Sequence, residues 1–170
     1  MTRRMFMGMI TAMAIGTSLF GGSLSADKKA TLLFMYQEEK MARDVYIVLG
    51  QKYPSAQQFA NIQLSEQNHL NAVKNKCIQY GVNISNINDT QIGVFVLPEV
   101  QSLYNTLVAQ GNVSQLEAMK VGVAIEEKDI ADLTDAMKGM PSDIVKVFTN
   151  LRNASYNHLE AFKNGVAAAQ

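Results

Sequence analysis

The 170-residue sequence has little of what marks several classes of protein. Its one cysteine, Cys77, has no partner for an intramolecular disulfide, so the fold does not depend on a disulfide framework. Tryptophan is absent and proline occurs 3 times, which suits a helical chain whose breaks are easily recognised. The formal net charge is +0, so no basic surface indicates a nucleic-acid partner. The 48% of hydrophobic residues is enough for one compact domain with its own core.

The N-terminal segment, residues 1–26, is typical of an export signal rather than of a folded domain. Arg3 and Arg4 precede an uncharged, largely apolar stretch that ends in small residues. The arginine pair followed by Met-Phe-Met resembles the twin-arginine signal, although ordinary secretory signals also carry two arginines. We expect cleavage after Ser25 or Ala26 and a periplasmic, or otherwise extracytoplasmic, protein. Retention of the segment as a membrane anchor is the less favoured alternative, since it nearly reaches spanning length.

Residues 27–170 predict one all-α domain built on four long amphipathic helices. Pro54 and Gly81 mark breaks, and Ser114 with Glu117 three residues later is a capping-box pattern at a helix start. The long helices are predicted over residues 28–52, 55–80, 114–138 and 142–168, and a short helix over residues 99–109. Strand signals are nearly absent. Two long helices, an extended crossover with a short helix, and two more long helices indicate a ferritin-like four-helix bundle with one long connection.

A few acidic residues and histidines interrupt the apolar stripe of each long helix. Glu39 is the charged residue on the stripe of the first helix, and Glu126 is its counterpart on the third. The second helix carries Glu66 and His69, which point the same way at this spacing and can bind one ion together. The fourth helix carries His158. Every long helix therefore offers at least one candidate metal ligand.

The spacing of these residues repeats between the two halves of the chain. In the first half, a Glu is followed 27 and 30 residues later by a Glu–His pair. In the second half, Glu126 is followed 29 and 32 residues later by Ser155 and His158, so Ser155 stands where a second Glu is expected. Asp129, one turn after Glu126, is placed to lean onto the same face. The repeat predicts two helical hairpins that contribute equivalent ligands.

Burying Glu39, Glu66 and Glu126 together without cations would cost on the order of several kcal/mol per ion. We therefore expect two divalent cations, and carboxylate with imidazole suits iron or manganese, with zinc as an alternative. For any one of these residues, a solvated stripe edge or a hydrogen-bonded core position is the ordinary interpretation. Their repetition on four helices favours the metal site.

Other polar residues on the same helices have competing interpretations. Glu38 follows a neighbouring apolar line of the first helix and is the alternative to Glu39 as its ligand. Tyr46 is expected to fill the core, or to donate a hydrogen bond to a metal ligand. The residues expected at solvated or hydrogen-bonding positions are Glu38, Glu127, Asp44 and Asp132.

Four strings resemble a bacterial and archaeal ferritin-like family labelled a domain of unknown function, within the rubrerythrin-like superfamily. They are YQEEKMARDVY at residues 36–46, SEQNH at 65–69, IEEKDIADL at 125–133 and NHLEAF at 157–162. The first string is also similar to the first-helix motif of rubrerythrin. The resemblance implies a four-helix bundle with a carboxylate-bridged dinuclear site. Its implied ligands are Glu39, Glu66, His69, Glu126, Asp129 and His158.

The resemblance implies a di-iron oxidoreductase that reduces peroxide or oxygen, or a ferroxidase. A rubredoxin-type iron centre needs four cysteines, so an enzyme of this kind would take its electrons from an external donor. Serine is a poor ligand for iron, so Ser155 predicts that one metal is under-coordinated, relies on Asp129, or is not bound. A periplasmic metal carrier or sensor without turnover is therefore a competing hypothesis, as is a helical interaction module with a vestigial site. Association into a homodimer is left open.

Overall fold

The computed structural model describes residues 23–169, and these residues form five α-helices and no strand. The expected all-α class is confirmed. The helices are α1 (Ala26–Lys52), α2 (Gln57–Gln79), α3 (Pro98–Gly111), α4 (Gln115–Ala136) and α5 (Ser142–Ala168). None of these five helices combines the length and apolar character that a membrane span requires.

The start of α1 lies at the junction with the expected export signal. Residues 1–22 of that signal fall outside the residues that the structure describes. Ser25 is the N-cap of α1, and its side chain accepts a hydrogen bond from the backbone N–H of Lys28. Leu24 is buried against the core. Cleavage after either expected position would remove this cap and Leu24.

The ends of the other helices follow from local chemistry. Gly81 and Gly139 have φ angles of 64° and 70°, a backbone conformation that favours glycine, and they follow α2 and α4. Ser114 caps α4 by accepting a hydrogen bond from the N–H of Glu117 at 3.1 Å. The Glu117 carboxylate accepts from Lys120 at 2.7 Å. Half of the predicted capping box is therefore formed. Ser114 makes its hydrogen bond, whereas the Glu117 carboxylate binds Lys120.

The long helices pack as two pairs around one interior. α1 packs along α2 and α4 packs along α5, while α1 also contacts α4 and α2 contacts α5. The short helix α3 lies against α1 and α4. Two apolar clusters fill the interior, one around Tyr46, Phe59 and Phe162 and the other around Leu70 and Phe148. Along every long helix, the predicted metal ligands lie between residues of these two clusters.

The middle of α1 is buried on every side, over residues 35–46. Its polar side chains on one face bind the connection between α2 and α3. Asp44 accepts from Lys40 Nζ at 2.6 Å and from the N–H of Gly93 at 2.9 Å. Lys40 also donates to the carbonyl of Gln91 at 2.8 Å and lies 4.5 Å from the centre of the Phe95 ring. These ionic and polar contacts hold the connection on α1.

The four acidic residues expected at solvated or hydrogen-bonding positions fall into two groups. Glu127 is exposed, Asp132 pairs with Lys128, and Asp44 is hydrogen-bonded, as expected. Glu38 departs from the expectation. It is 3% exposed, and within residues 23–169 neither of its carboxylate oxygens has a hydrogen-bond partner.

Gly122 of α4 lies directly against the ring of Phe162. A Cβ atom at position 122 would come within 2.4 Å of that ring, whose centre lies 5.0 Å from the ring of Tyr46 and 5.4 Å from that of Phe59. The ring has little room to retreat, because it is fully buried between these aromatic residues. Close approach of α4 to α5 therefore requires glycine at this position.

We expect Gly122→Ala to destabilise the fold by about 1–3 kcal/mol, since overpacking outweighs the better helix propensity of alanine. Thermal or urea unfolding followed by circular dichroism measures the change. Gly165→Ala is the matched control, because its Cβ would meet the flexible side chain of Met119 rather than a fixed ring. Equal stability of the Gly122 variant and the natural protein would contradict this account of the packing.

Candidate metal centre

A polar layer crosses the interior between the two apolar clusters. It contains residues from all four long helices, and none of them is more than 8% exposed. α1 gives Glu39, α2 gives Glu66 and His69, α4 gives Glu126, and α5 gives His158. Five of the six predicted ligands thus come together, as the repeated spacing of the two helical hairpins predicts.

Glu66 lies at the centre of this layer. Its Oε2 atom is 3.0 Å from Nδ1 of His69, and its Oε1 atom is 2.9 Å from Nδ1 of His158. Glu39 completes the first side, with Oε2 3.3 Å from the same nitrogen of His69. Glu126 completes the second, with Oε2 3.5 Å from Nδ1 of His158. Two ligand groups therefore share one carboxylate, and within each group the potential ligand atoms lie within 4.8 Å of one another.

Many polar atoms of this layer are not hydrogen-bonded. Within residues 23–169, both carboxylate oxygens of Glu39, Oε1 of Glu66 and Nδ1 of both histidines have no hydrogen-bond partner. Nδ1 of each histidine lies within 3.0 Å of a Glu66 oxygen, but neither contact has the geometry of a hydrogen bond. Buried polar atoms are nearly always hydrogen-bonded in folded proteins. These exceptions are concentrated around one carboxylate, which leaves the atoms available as ligands for a cation.

The ionisable groups in the layer shift one another's pKa values. Burial opposes protonation of His69, but the facing carboxylates of Glu39 and Glu66 outweigh it and raise the pKa to about 11. Burial also opposes protonation of His158, but Glu126 and Glu66 raise its pKa to about 9. Burial raises the pKa of Glu39 to about 8 and that of Glu126 to about 7. Burial also disfavours ionised Glu66, yet the two imidazoles hold its pKa at about 2. With protein groups alone, protons on the histidines balance the central carboxylate.

Tyr46 orients one of the candidate ligands. Its hydroxyl donates a hydrogen bond to Oε1 of Glu126 at 2.6 Å, while the other oxygen of Glu126 faces His158. The ring is fully buried against Phe59 and Phe162. Of the two expectations for Tyr46, core filling and hydrogen bonding to a ligand, the structure shows both.

Asp129, the sixth predicted ligand, lies outside both ligand groups. Its Oδ2 atom accepts a hydrogen bond from Ser155 Oγ at 2.6 Å, and its Oδ1 atom has no hydrogen-bond partner within the described chain. Burial and the charges of Glu39 and Glu66 raise its pKa well above the ordinary value. Asp129 is therefore a nearby carboxyl group held by Ser155, at the place where the second hairpin lacks its Glu.

The structure also separates the two alternatives on α1. Glu39 faces His69, whereas Glu38 faces α4, with Oε1 3.1 Å from Lys128 Nζ. Burial raises the pKa of Glu38 well above the ordinary value, and Asp129 adds to the shift. Its special surroundings were not expected from the sequence. The nearly apolar helix line on which Glu38 lies was the one available signal.

Comparison with known proteins places the chain in a family. Residues 28–169 match the family described as "Uncharacterized protein domain (DUF2202)". The chain is 42% identical over 140 residues to the "Uncharacterized protein MJ0754" of Methanocaldococcus jannaschii, a match that covers 82% of this chain and 75% of that protein. The crystal structure of hypothetical protein MJ0754 from Methanococcus jannaschii is similar with a TM-score of 0.83 and 40% identity, over 90% of this chain and 87% of that one. The chain belongs to the DUF2202 family.

Proposed function

We propose that the four long helices form a ferritin-like four-helix bundle whose polar layer binds two metal ions. The observation that carries the proposal is the position of Glu66, whose two carboxylate oxygens face different histidines on opposite sides. A carboxylate in that position is suited to bridge two ions. The pairs Glu39 with His69 and Glu126 with His158 then supply the remaining ligands on either side.

The charge of the layer fits two divalent ions. Glu39, Glu66, Glu126 and Asp129 carry four negative charges when ionised, and the two histidines bind metal in their neutral form. Two divalent cations would balance these four charges within the layer. Carboxylate oxygen with imidazole nitrogen suits iron or manganese, with zinc as the alternative.

The chemistry that we propose is reduction of peroxide or oxygen, or oxidation of ferrous iron, in a protein exported through its N-terminal signal. A pair of redox-active ions supplies the two electrons that cleavage of an O–O bond takes. The protein residues hold and orient the ligands: Tyr46 fixes Glu126, and Ser155 fixes Asp129. With Cys77 as the one cysteine of the chain, further electrons come from an external donor.

A specific observation supports a second function, that of a metal carrier or sensor without turnover. Ser155 replaces the acidic residue expected on α5, and Asp129 remains outside both ligand groups. The second side therefore has fewer direct ligands than a fully repeated site. Peroxide consumption separates the two functions: an iron-loaded protein that removes peroxide no faster than buffer is a carrier or sensor rather than an enzyme.

Glu66→Gln is expected to abolish binding of both ions, because the shared carboxylate is the ligand common to the two groups. The full chain is reconstituted with ferrous iron without oxygen, desalted and analysed for iron per chain, with circular dichroism as the test of folding. His69→Ala is expected to lose the ion on its own side. Glu127→Gln, on the exposed face of α4, is the control and should bind as the natural protein does. Unchanged iron content in both the Glu66 and His69 variants would refute the site.

Metal binding is expected to release protons and to strengthen as pH rises. The pKa values of about 11 for His69 and about 9 for His158 mean that both are protonated at pH 7 before the metal arrives. Each proton displaced makes the apparent affinity rise by about tenfold per pH unit below that group's pKa. Calorimetric titration with ferrous or manganous ion at pH 6, 7 and 8, in buffers of different ionisation enthalpy, counts the protons. A pH-independent affinity would contradict binding to these histidines.

The substitution Tyr46→Phe tests whether the Tyr46 hydroxyl positions Glu126 for metal binding. Removing the hydroxyl leaves the packing of the ring intact but removes the hydrogen bond to Oε1 of Glu126. Loss of such a supporting contact typically reduces metal affinity by about 10–100-fold. Competition with a chelator measures the change, and Tyr156→Phe, on the exposed side of α5, is the control. Equal affinities in the two variants would show that Tyr46 serves packing alone.

A further inference from the structure

A cavity of about 190 Å³ lies between α1, α3 and α4, beside the polar layer. Met41, Leu103, Leu107 and Ile125 give it an apolar wall. Asp129, whose Oδ1 atom has no hydrogen-bond partner in the described chain, is part of the same wall. The cavity thus reaches a carboxyl group at the edge of the candidate metal centre.

A second pair of polar groups lies in the wall of this cavity. Glu38 is buried, and its carboxylate oxygens have no hydrogen-bond partner within residues 23–169, although Oε1 lies 3.1 Å from Lys128 Nζ. Lys128 also pairs with Asp132 and lies 5.4 Å from the centre of the Phe34 ring, which holds its ammonium group near the cavity. Donor and acceptor groups are therefore concentrated in an otherwise apolar space.

A neighbouring cavity of about 270 Å³ extends this space. The two share Glu38, Met41, Leu103 and Lys128 in their walls, and the second reaches the exposed residue Glu99 at the start of α3. The two cavities therefore adjoin at these shared residues beneath α3. Asp129 lies in the wall of the first cavity and Glu99 in the wall of the second.

The size and lining limit what the cavity can hold. An apolar cavity of about 150 Å³ accepts benzene, so the space next to Asp129 has room for one ring or a short branched chain. Buried carboxyl groups disfavour an anion, and the apolar wall disfavours a sugar or other strongly polar molecule. Hydrogen peroxide and oxygen are much smaller than the cavity and have no apolar part to contact its wall. A ligand with an apolar body and one small hydrogen-bonding group matches the size and lining of the cavity.

We propose that this cavity binds a small organic hydroperoxide, with its apolar body against Met41, Leu103 and Leu107 and its hydroperoxy group between Glu38 and Asp129. The chemistry of this inference rests on the proposed function, but binding to the cavity does not require the metal. If the layer held two ferrous ions, as proposed above, each would supply one electron and solvent would supply two protons. Cleavage of the O–O bond would then yield an alcohol, water and two ferric ions.

tert-Butanol, the unreactive product of tert-butyl hydroperoxide reduction, is the probe for the cavity. Its binding to the metal-free full chain is measured by ligand-observed NMR titration. Ala124 is an exposed residue of α4 in the wall of the cavity, so Ala124→Phe is expected to fill part of the cavity and weaken binding at least tenfold. Ala131→Phe, an equally exposed position on α4 outside the wall, is the matched control and should bind as the natural protein does. Absence of binding, or equal affinity in the two variants, would overturn the inference.

Turnover separates this inference from the proposed function. In the iron-loaded protein, Ala124→Phe should slow reduction of tert-butyl hydroperoxide at least tenfold and leave that of hydrogen peroxide unchanged. Turnover of hydrogen peroxide without binding of tert-butanol would overturn the cavity inference alone. Alcohol binding without turnover of any peroxide would overturn the proposed redox function and, with it, the assignment of a hydroperoxide.

Discussion

Neutralisation of buried charge is the constraint around which this fold is arranged. Four carboxyl groups and two imidazoles lie together between the two apolar clusters of the interior. Protons on His69 and His158 balance the central Glu66 when protein groups act alone, and burial keeps protons on neighbouring acids. Such a layer is a costly way to stabilise a helical protein, because apolar side chains of the same volume are often at least as favourable. Binding of the proposed metal ions would offset this cost.

The apolar clusters on either side of the layer hold its geometry. Packing of Phe162 against Gly122 brings α4 and α5 close together, and Tyr46 joins the same aromatic group while it orients Glu126. On the opposite face of α1, Lys40 and Asp44 fix the connection to α3. The central helix is consequently fixed on several sides, which limits the freedom of Glu39 to move away from its partners.

Helical periodicity was sufficient to predict the five helices and to bring Glu39, Glu66 and His158 to one layer, because spacing determines which residues share a helix face. Periodicity did not predict the surroundings of Glu38. Its surroundings depend on α3 and Lys128, and spacing within one helix does not show which element covers each of its faces. The role of Asp44 in holding the connection escaped prediction for the same reason, since its partner is the backbone of an irregular segment.

The two sides of the layer differ, and the difference originates in one residue. A glutamate at position 155 would place a carboxylate where the short Ser155 side chain now donates to Asp129. Because serine is short, Asp129 is kept outside the ligand groups, in the wall of the cavity beneath α3, and within residues 23–169 its Oδ1 atom has no hydrogen-bond partner. Among the described residues, Asp129 is the member of the polar layer that lines this cavity. A molecule that enters the cavity would therefore meet the Asp129 carboxyl group before it meets either ligand group.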